Sequence, residues 1–280
     1  MFEHAVFGPF IGDWETEVYV YRPFIRWVTN VINIDNVYVS SHKNRLFLYD
    51  WLDDDKKLSI NEDISRDEIS QYRFIHGKIT KQDYTSYFKL FKRDIKDLIG
   101  SGYINYFPIN YASIFSYPIY CRLFTPIKIE KNINDNGIID MTDEYYLYIP
   151  DNNEKFSNID KLYKALKLKY GNKIIVCGDM KTHLLDENVA MCDDYFNNGY
   201  KNIMTYINNA KVVICPMGFW TFVSNFQNKP VFSWITSKGK TRYYNMLNGN
   251  NYHIIYTDEH RLIMSSLERF LNNGGYNANI

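Results

Sequence analysis

The sequence has only four cysteines, Cys121, Cys177, Cys192 and Cys215, and no two stand in CxxC spacing. That excludes zinc ribbons and thioredoxin-like redox pairs. Cys177 and Cys215 lie inside apolar runs, so buried, reduced thiols are the expectation over disulfides. No apolar run approaches the roughly 18 residues of a bilayer span, so no membrane-crossing helix is predicted. The N-terminus lacks the basic stretch and apolar segment of a signal peptide, which predicts a cytoplasmic location. There is no excess charge of either sign, with 32 basic and 32 acidic residues. A protein that grips a long polyanion usually carries a basic excess on one face. The balance therefore argues against a dedicated nucleic-acid binder, while leaving room for a local basic patch. The six histidines include no HExxH and no Cys/His cluster, which argues against a zinc site. The dinucleotide fingerprint GxGxxG, the P-loop GxxxxGK[ST] and the GxSxG elbow are also missing.

What is present is the composition of a globular chain, 46% hydrophobic and 23% charged, over 280 residues. That length predicts one large or two medium domains, with enough apolar residues for a sizeable core. The aromatic share is high, with 25 Tyr and 18 Phe, and carries little functional information.

The first half reads less sharply than the second. Residues 4–10 read as a strand. Val18, Tyr21, Ile25, Val28 and Ile32 fall at steps of three and four, one face of a helix. Pro23 within it predicts a kink or a late helix start. The stretches "NVYVSS" and "RLFLYDW" read as strands. Residues 59–100 read as polar and helical, clearest in "YTSYFKLFKRDIKDLIG" with Gly100 as a stop. "EKNINDNGIIDMTDE", residues 130–144, is rich in Asn, Asp and Gly and reads as a linker.

Beyond it, strands and helices alternate. "YYLYIP", "KIIVCGD", "KVVICPMG", "KPVFSWI" and "YHIIYT" read as strands. "NIDKLYKALKLKYG", "YKNIMTYINNA", "FWTFVSNFQN" and "DEHRLIMSSLERFLNN" read as helices, the first with Asn158 as a cap and Gly171 as its stop. Continuous Val/Ile strands alternating with helices predict a parallel sheet covered on both faces.

Ligands bind beyond the carboxyl ends of strands in open parallel sheets. Three such ends carry suggestive residues. In "CPMGFWTFVSNF", Gly218 ends a strand and starts a helix. Free N–H groups and a partial positive charge there suit a phosphate. Gly218 would let the backbone approach, Phe219 or Trp220 could stack on a base, and Thr221 could donate to a phosphate oxygen. The same glycine is also explained as a plain turn residue. In "GPFIGDWETE", a carboxylate at a glycine turn can act as a general base, with Asp13 the better placed and Glu17 one turn on. Acidic residues also favour helix starts for dipole reasons alone. The third end is Gly178-Asp179 after "KIIVC". Separately, Asp53-Asp54-Asp55 forms a DxD pattern that could hold a divalent metal, or be a solvated acidic turn.

"GPFIGDWETEVYVYRPFIRW" resembles the N-terminal signature of a group of GT-B glycosyltransferases, which begin roughly G-P-F-I-G-E-F-G-W-E-L and continue into an aromatic helix. "IMTYINNAKVVICPMGFWTFVSNFQNKPVFSW" resembles the nucleotide-sugar domain of the heptosyltransferase-like members. The resemblance covers about half of the chain. It matches Gly8 and Gly12 to the glycines of the first motif, Asp13 and Glu17 to its acids, and Gly218 to the phosphate-loop glycine. Glu15 and Thr16 stand where the family has Gly-Trp, and Trp220 and Phe222 replace its His-Leu-Ala helix pattern.

The resemblance implies an α/β protein of two Rossmann-like domains facing a cleft, divided here as 1–135 on the acceptor side and 136–280 for the nucleotide sugar. It implies sugar transfer from a nucleotide-sugar donor to a hydroxyl acceptor, glycan or other. Asp13 and Glu17 would be catalytic. Gly178, Lys181, Met217, Gly218, Phe219, Trp220 and Thr221 would bind the donor, with Lys155 as a further candidate, and Gly8 and Gly12 would shape the acceptor-side loop. No cofactor or metal is called for beyond the donor, which is a substrate. Two alternatives stand beside it: a metal-dependent transferase using Asp53–Asp55, and a non-catalytic nucleotide- or glycan-binding protein of the same fold.

Overall fold

The computed structural model describes residues 4–10, 17–31, 36–59, 95–97, 99–100, 102–106, 124–129, 144–150, 156–178, 189–191, 200–235, 247 and 249–274. The chain divides into two compact units, Met1–Ile127 and Lys128–Ile280. The linker read at 130–144 and the boundary expected at 135/136 fall almost wholly outside the described residues, which resume at Glu144.

Among the described residues the first unit holds four strands: β1 (His4–Phe7), β2 (Asn36–Ser41), β3 (Lys57–Ser59) and β4 (Tyr103–Tyr106). All pair in parallel, in the order β3-β2-β1-β4. Parallel neighbours cannot be joined by a hairpin, so the chain turns away after β1 and after β2 before it forms the next strand. Glu17–Tyr21 forms a π-helical turn that runs into helix α1 (Arg22–Val31). Pro23 sits where the π-helical turn passes into α1, so the change of helix type falls at the residue that lacks an N–H. Val18, Tyr21, Ile25 and Val28 are all buried, as their spacing predicts.

The stretch "RLFLYDW" is not a strand. Lys43–Leu48 is a 3-10 helix. It follows β2 at once, and a chain leaving a parallel strand must turn away to cross over. Arg45 and Leu48, three apart, are its buried residues, the period of a 3-10 turn. Of the helical region read over 59–100, residues 60–94 and 98 lie outside the described residues, and Ser59 ends β3. Residues 95–97 and 99 are helical, and the Gly100 N–H closes the segment on the Lys96 carbonyl at 3.0 Å.

The second unit holds β5 (Tyr146–Tyr148), β6 (Ile174–Gly178), β7 (Val189–Met191), β8 (Val212–Pro216), β9 (Val231–Ile235) and β10 (Tyr252–Tyr256). Its helices are α2 (Phe156–Tyr170), α3 (Tyr200–Asn209), α4 (Phe219–Phe226) and α5 (His260–Asn272). Helix α2 starts at Phe156, so Asn158 lies inside it and is not the cap; at Gly171 the helix gives way to a 3-10 turn. The sheet is fully parallel in the order β7-β6-β5-β8-β9-β10. The chain starts in the middle, works outward to one edge, then crosses back to build the other half. This is the doubly wound order of nucleotide-binding sheets, and the first unit repeats its beginning.

One face of this sheet carries a core of Tyr148, Ile174, Val176, Val212, Ile214, Phe232 and Trp234 packed under Leu162 and Leu166 of α2 and Ile263, Leu267 and Phe270 of α5. Lys169 and Glu268 pair between those two helices at the surface. Alternate residues of the same strands face the other way. There Cys215 and Ser233, paired across β8 and β9, meet Thr221 of α4.

Candidate active site

The doubly wound order makes one place in each sheet special. Between β5 and β8 neighbouring strands send their connections in opposite directions, and the loops part at the carboxyl edge; β1 stands beside β4 at the matching place in the first sheet. The two glycine motifs read from sequence follow β8 and β1. The two are built differently.

In the second unit, β8 ends at Pro216, and Met217 and Gly218 lead into α4. Met217 is fully buried, and its N–H donates to the Trp234 carbonyl at 2.8 Å, which seals the loop onto β9. Gly218 has φ 175°, an extended conformation open to any residue. A Cβ placed on it would meet nothing nearer than the Pro216 carbonyl oxygen at 3.9 Å. The fold itself therefore does not require glycine here. The missing side chain leaves open space at the start of α4, where the first N–H groups of a helix lack intrahelical partners.

Phe219 is buried and stands edge-on to half-buried Trp220 at 4.7 Å, so Trp220 is the more accessible ring. Sequence reading gives Thr221 a donor role toward phosphate; in the structure its hydroxyl is turned inward. It accepts from the Gly218 N–H at 3.2 Å, donates to the Pro216 carbonyl at 3.1 Å and lies 2.9 Å from Ser233 Oγ. Gly178 ends β6 at the same carboxyl edge, in register with Met191. Lys155 and Lys181 lie outside the described residues.

In the first unit, Gly8 does answer to the fold. It has φ +127°, a region that favours glycine, and a Cβ there would lie 2.6 Å from the Ser40 carbonyl oxygen. The Gly8–Pro9 peptide is cis, and the Phe10 N–H donates to that same Ser40 oxygen at 2.9 Å. The loop is thus folded down onto the end of β2. Gly12 and Asp13 lie outside the described residues.

Glu17 is wholly buried. Its Oε1 accepts from Ser41 Oγ at 2.5 Å and from the Tyr49 hydroxyl at 2.7 Å, and its Oε2 from Arg45 at 3.2 Å. Burial raises its carboxyl above the ordinary value, while Arg45, Ser41 and Tyr49 pull it back. A carboxylate so enclosed holds the π-helical turn against the carboxyl end of β2; it is an anchor beneath the loop. Beside it, His42 is pushed down to about 3, first by burial and then by Arg45.

Arg22 is buried as well. It donates to the Leu48 carbonyl at 2.6 Å, to the Thr125 carbonyl at 2.8 Å and to Asp50 at 2.9 Å, between the rings of Trp51 and Phe124. Burial lowers it to about 10 against the pull of Asp50. The roles of Ser41, Arg45, Tyr49 and Arg22 escape sequence reading, because their partners are 24 to 103 residues away along the chain. Ser233 did leave a trace, as a polar residue inside the apolar run "VFSWI".

Asp54 and Asp55 are exposed and pair with Lys57 at 2.9 Å and Lys56 at 3.7 Å. Among the described residues, no three His, Cys, Asp or Glu side chains gather into a metal-holding group. Cys177 and Cys215 are buried thiols outside any disulfide, as expected; Cys121 and Cys192 lie outside the described residues. Among the described residues no helix is long and apolar enough to cross a membrane.

No family model matches the sequence, and no curated protein matches it. By structure the chain is similar to E. coli heptosyltransferase WaaC solved with ADP, at 9% identity over 97% of this chain and 99% of that one, with a TM-score of 0.52. The fold is of the GT-B type. A UDP-N-acetylglucosamine 2-epimerase is also similar, at 11% identity over 98% of this chain and 89% of that one, with a TM-score of 0.48. With identities this low, what this chain shares with the GT-B enzyme WaaC is the fold.

Proposed function

We propose that the protein is a glycosyltransferase that moves a sugar from a nucleotide-sugar donor to a hydroxyl acceptor. The observation that carries this reading is Gly218. It begins a helix at the switch point of a doubly wound sheet, and neither its φ nor its surroundings demand glycine. A small residue that the fold does not need, at the place where such sheets bind nucleotides, fits a ligand that needs the space. The GT-B neighbour of E. coli was solved with ADP, which agrees with a nucleotide as the ligand.

In this mechanism the N–H groups at the start of α4 hold the donor diphosphate. Trp220 offers its accessible face to the nucleotide, and Gly178 and Lys181 complete the donor side. Asp13 takes the proton of the acceptor hydroxyl as its oxygen attacks the anomeric carbon. The bond from that carbon to the diphosphate breaks, and the diphosphate leaves with the electron pair. Charge developing on it is met by dipoles already in place. Glu17 orients the segment that carries Asp13 and stays out of the proton transfer, because its oxygens are engaged by Ser41, Tyr49 and Arg45.

A thermal-shift screen against UDP, GDP, ADP and CMP and their sugars tests the reading. A ligand at about 100 times its dissociation constant adds roughly 2.7 kcal/mol. One nucleotide should raise the melting temperature of the wild type, and Gly218→Val should abolish that rise while still folding. A nucleotide shift that survives in Gly218→Val, or no shift with any nucleotide, would overturn the proposal.

A further inference from the structure

The Gly218 loop is held from below by side chains that no ligand touches. Cys215, Thr221 and Ser233 are all buried, with at most 1% exposure. Thr221 Oγ1 lies 2.9 Å from Ser233 Oγ and 3.4 Å from Cys215 Sγ, and that sulfur lies 3.7 Å from Ser233 Oγ. A hydroxyl has one proton and two lone pairs. When Thr221 gives its proton to the Pro216 carbonyl, its lone pairs take the Gly218 N–H and the Ser233 hydroxyl proton. Ser233 in turn can accept from the Cys215 thiol. Each polar group of the chain then has a partner, and nothing of Thr221 is left for a ligand.

The consequence is geometric. Pro216 C=O and Gly218 N–H lie on either side of Met217, and a single side chain fixes both. Gly218 is the residue of the loop with the greatest backbone freedom and has open space around its missing Cβ. The Pro216–Met217 peptide is held as well by the Met217 N–H on the Trp234 carbonyl, and the Gly218 carbonyl by the Phe222 N–H, so the plane that the tether alone sets is Met217–Gly218, whose N–H opens α4. With the tether, that plane is set before any ligand arrives.

We propose that Thr221 and Ser233 are positioning residues, a buried hydroxyl relay that presets the start of α4 to receive the diphosphate of a nucleotide. This rests on the donor site proposed above. It assigns the specificity for a diphosphate, as opposed to the nucleoside, to residues that touch neither.

The test compares two affinities in each variant. UDP, GDP, ADP and CDP are measured by calorimetry, and the four parent nucleosides by ligand-observed NMR. Thr221→Val keeps the side-chain shape and removes the hydroxyl; Thr221→Ser keeps the hydroxyl. A hydrogen bond is worth about 0.5–1.5 kcal/mol, so the best diphosphate should weaken by up to about tenfold in Thr221→Val. The nucleoside affinity should stay within about twofold, and Thr221→Ser should recover most of the loss. Equal weakening of diphosphate and nucleoside, or no weakening, overturns the proposal, as does failure of Thr221→Ser to rescue.

If Thr221→Val does not fold, Ser233→Ala decides. It breaks only the outer link and should cost the diphosphate about threefold, again sparing the nucleoside; unchanged affinity refutes the relay. Gly218→Val separates the two levels. Weakening there with no effect of Thr221→Val sinks the relay alone, whereas insensitivity of both, or no binding to the wild type, sinks the donor site with it.

Discussion

Replacing Gly8 by alanine should damage the first unit, and replacing Gly218 by alanine should leave the second intact. The two glycines look alike in sequence, each ending a strand at a motif. At Gly8, φ is +127°, and a side chain forced into such a region costs about 1–3 kcal/mol. The added Cβ would also lie 2.6 Å from the Ser40 carbonyl oxygen, 3.0 Å from Ser40 Cβ and 3.2 Å from the Phe10 nitrogen. Two of those atoms are backbone, so the overlap is relieved only by moving β2 or the loop, for about 1–3 kcal/mol more. The mid-range sum is about 4 kcal/mol, a large part of the roughly 5–15 kcal/mol that holds a domain folded. For a unit of 127 residues, each kcal/mol moves the melting temperature by about 3–5 °C, so the shift should be roughly 12–20 °C. Gly218→Ala, with an extended φ and its nearest neighbour at 3.9 Å, should shift by less than about 2 °C. Scanning calorimetry of both variants beside the wild type measures this. A Gly8→Ala protein that melts with the wild type, or a Gly218→Ala protein that loses as much as Gly8→Ala, would refute the reasoning.

Asp13→Asn keeps the shape and loses the basicity, so turnover should fall by about 10²- to 10⁴-fold while donor binding survives. Glu17→Gln should cost less in turnover and more in melting temperature, and the opposite ranking in a kinetic assay would move the base to Glu17. Arg22→Met breaks the buried ion pair with Asp50 and removes the donors to the Leu48 and Thr125 carbonyls, which should cost about 3–5 kcal/mol in urea unfolding. His42 titrates at about 3 in the folded chain against an ordinary 6.5. The unfolded chain therefore binds the extra proton first, so stability is full above pH 6.5 and falls as pH drops from 6.5 toward 3. An NMR titration should find the ring neutral at pH 5, and His42→Gln should flatten that part of the stability profile.

Much of the second unit is legible along the chain. Runs such as "IIVC" and "VVIC" are apolar at every position, and only a strand covered on both faces has use for that. The helices between them show their buried stripes at the spacing of 3.6, and chirality then leaves few ways to connect parallel neighbours. The glycine motifs were visible too, since backbone freedom is a property of the residue itself. Tertiary structure decided what each glycine is for. Gly8 is fixed by a carbonyl from β2, 32 residues on, whereas Gly218 meets nothing, and no local pattern carries that difference. The segment after β2 bent into a 3-10 turn because a parallel strand must be left behind, although its own apolar residues suited a strand. Glu17 became a buried anchor, and the Thr221 hydroxyl turned inward, because Ser41, Arg45 and Tyr49 in one case and Ser233 in the other arrive from distant strands and turns. Residue type sets what a side chain can donate or accept. Which partners come within about 3 Å of it is settled only when the sheets are assembled.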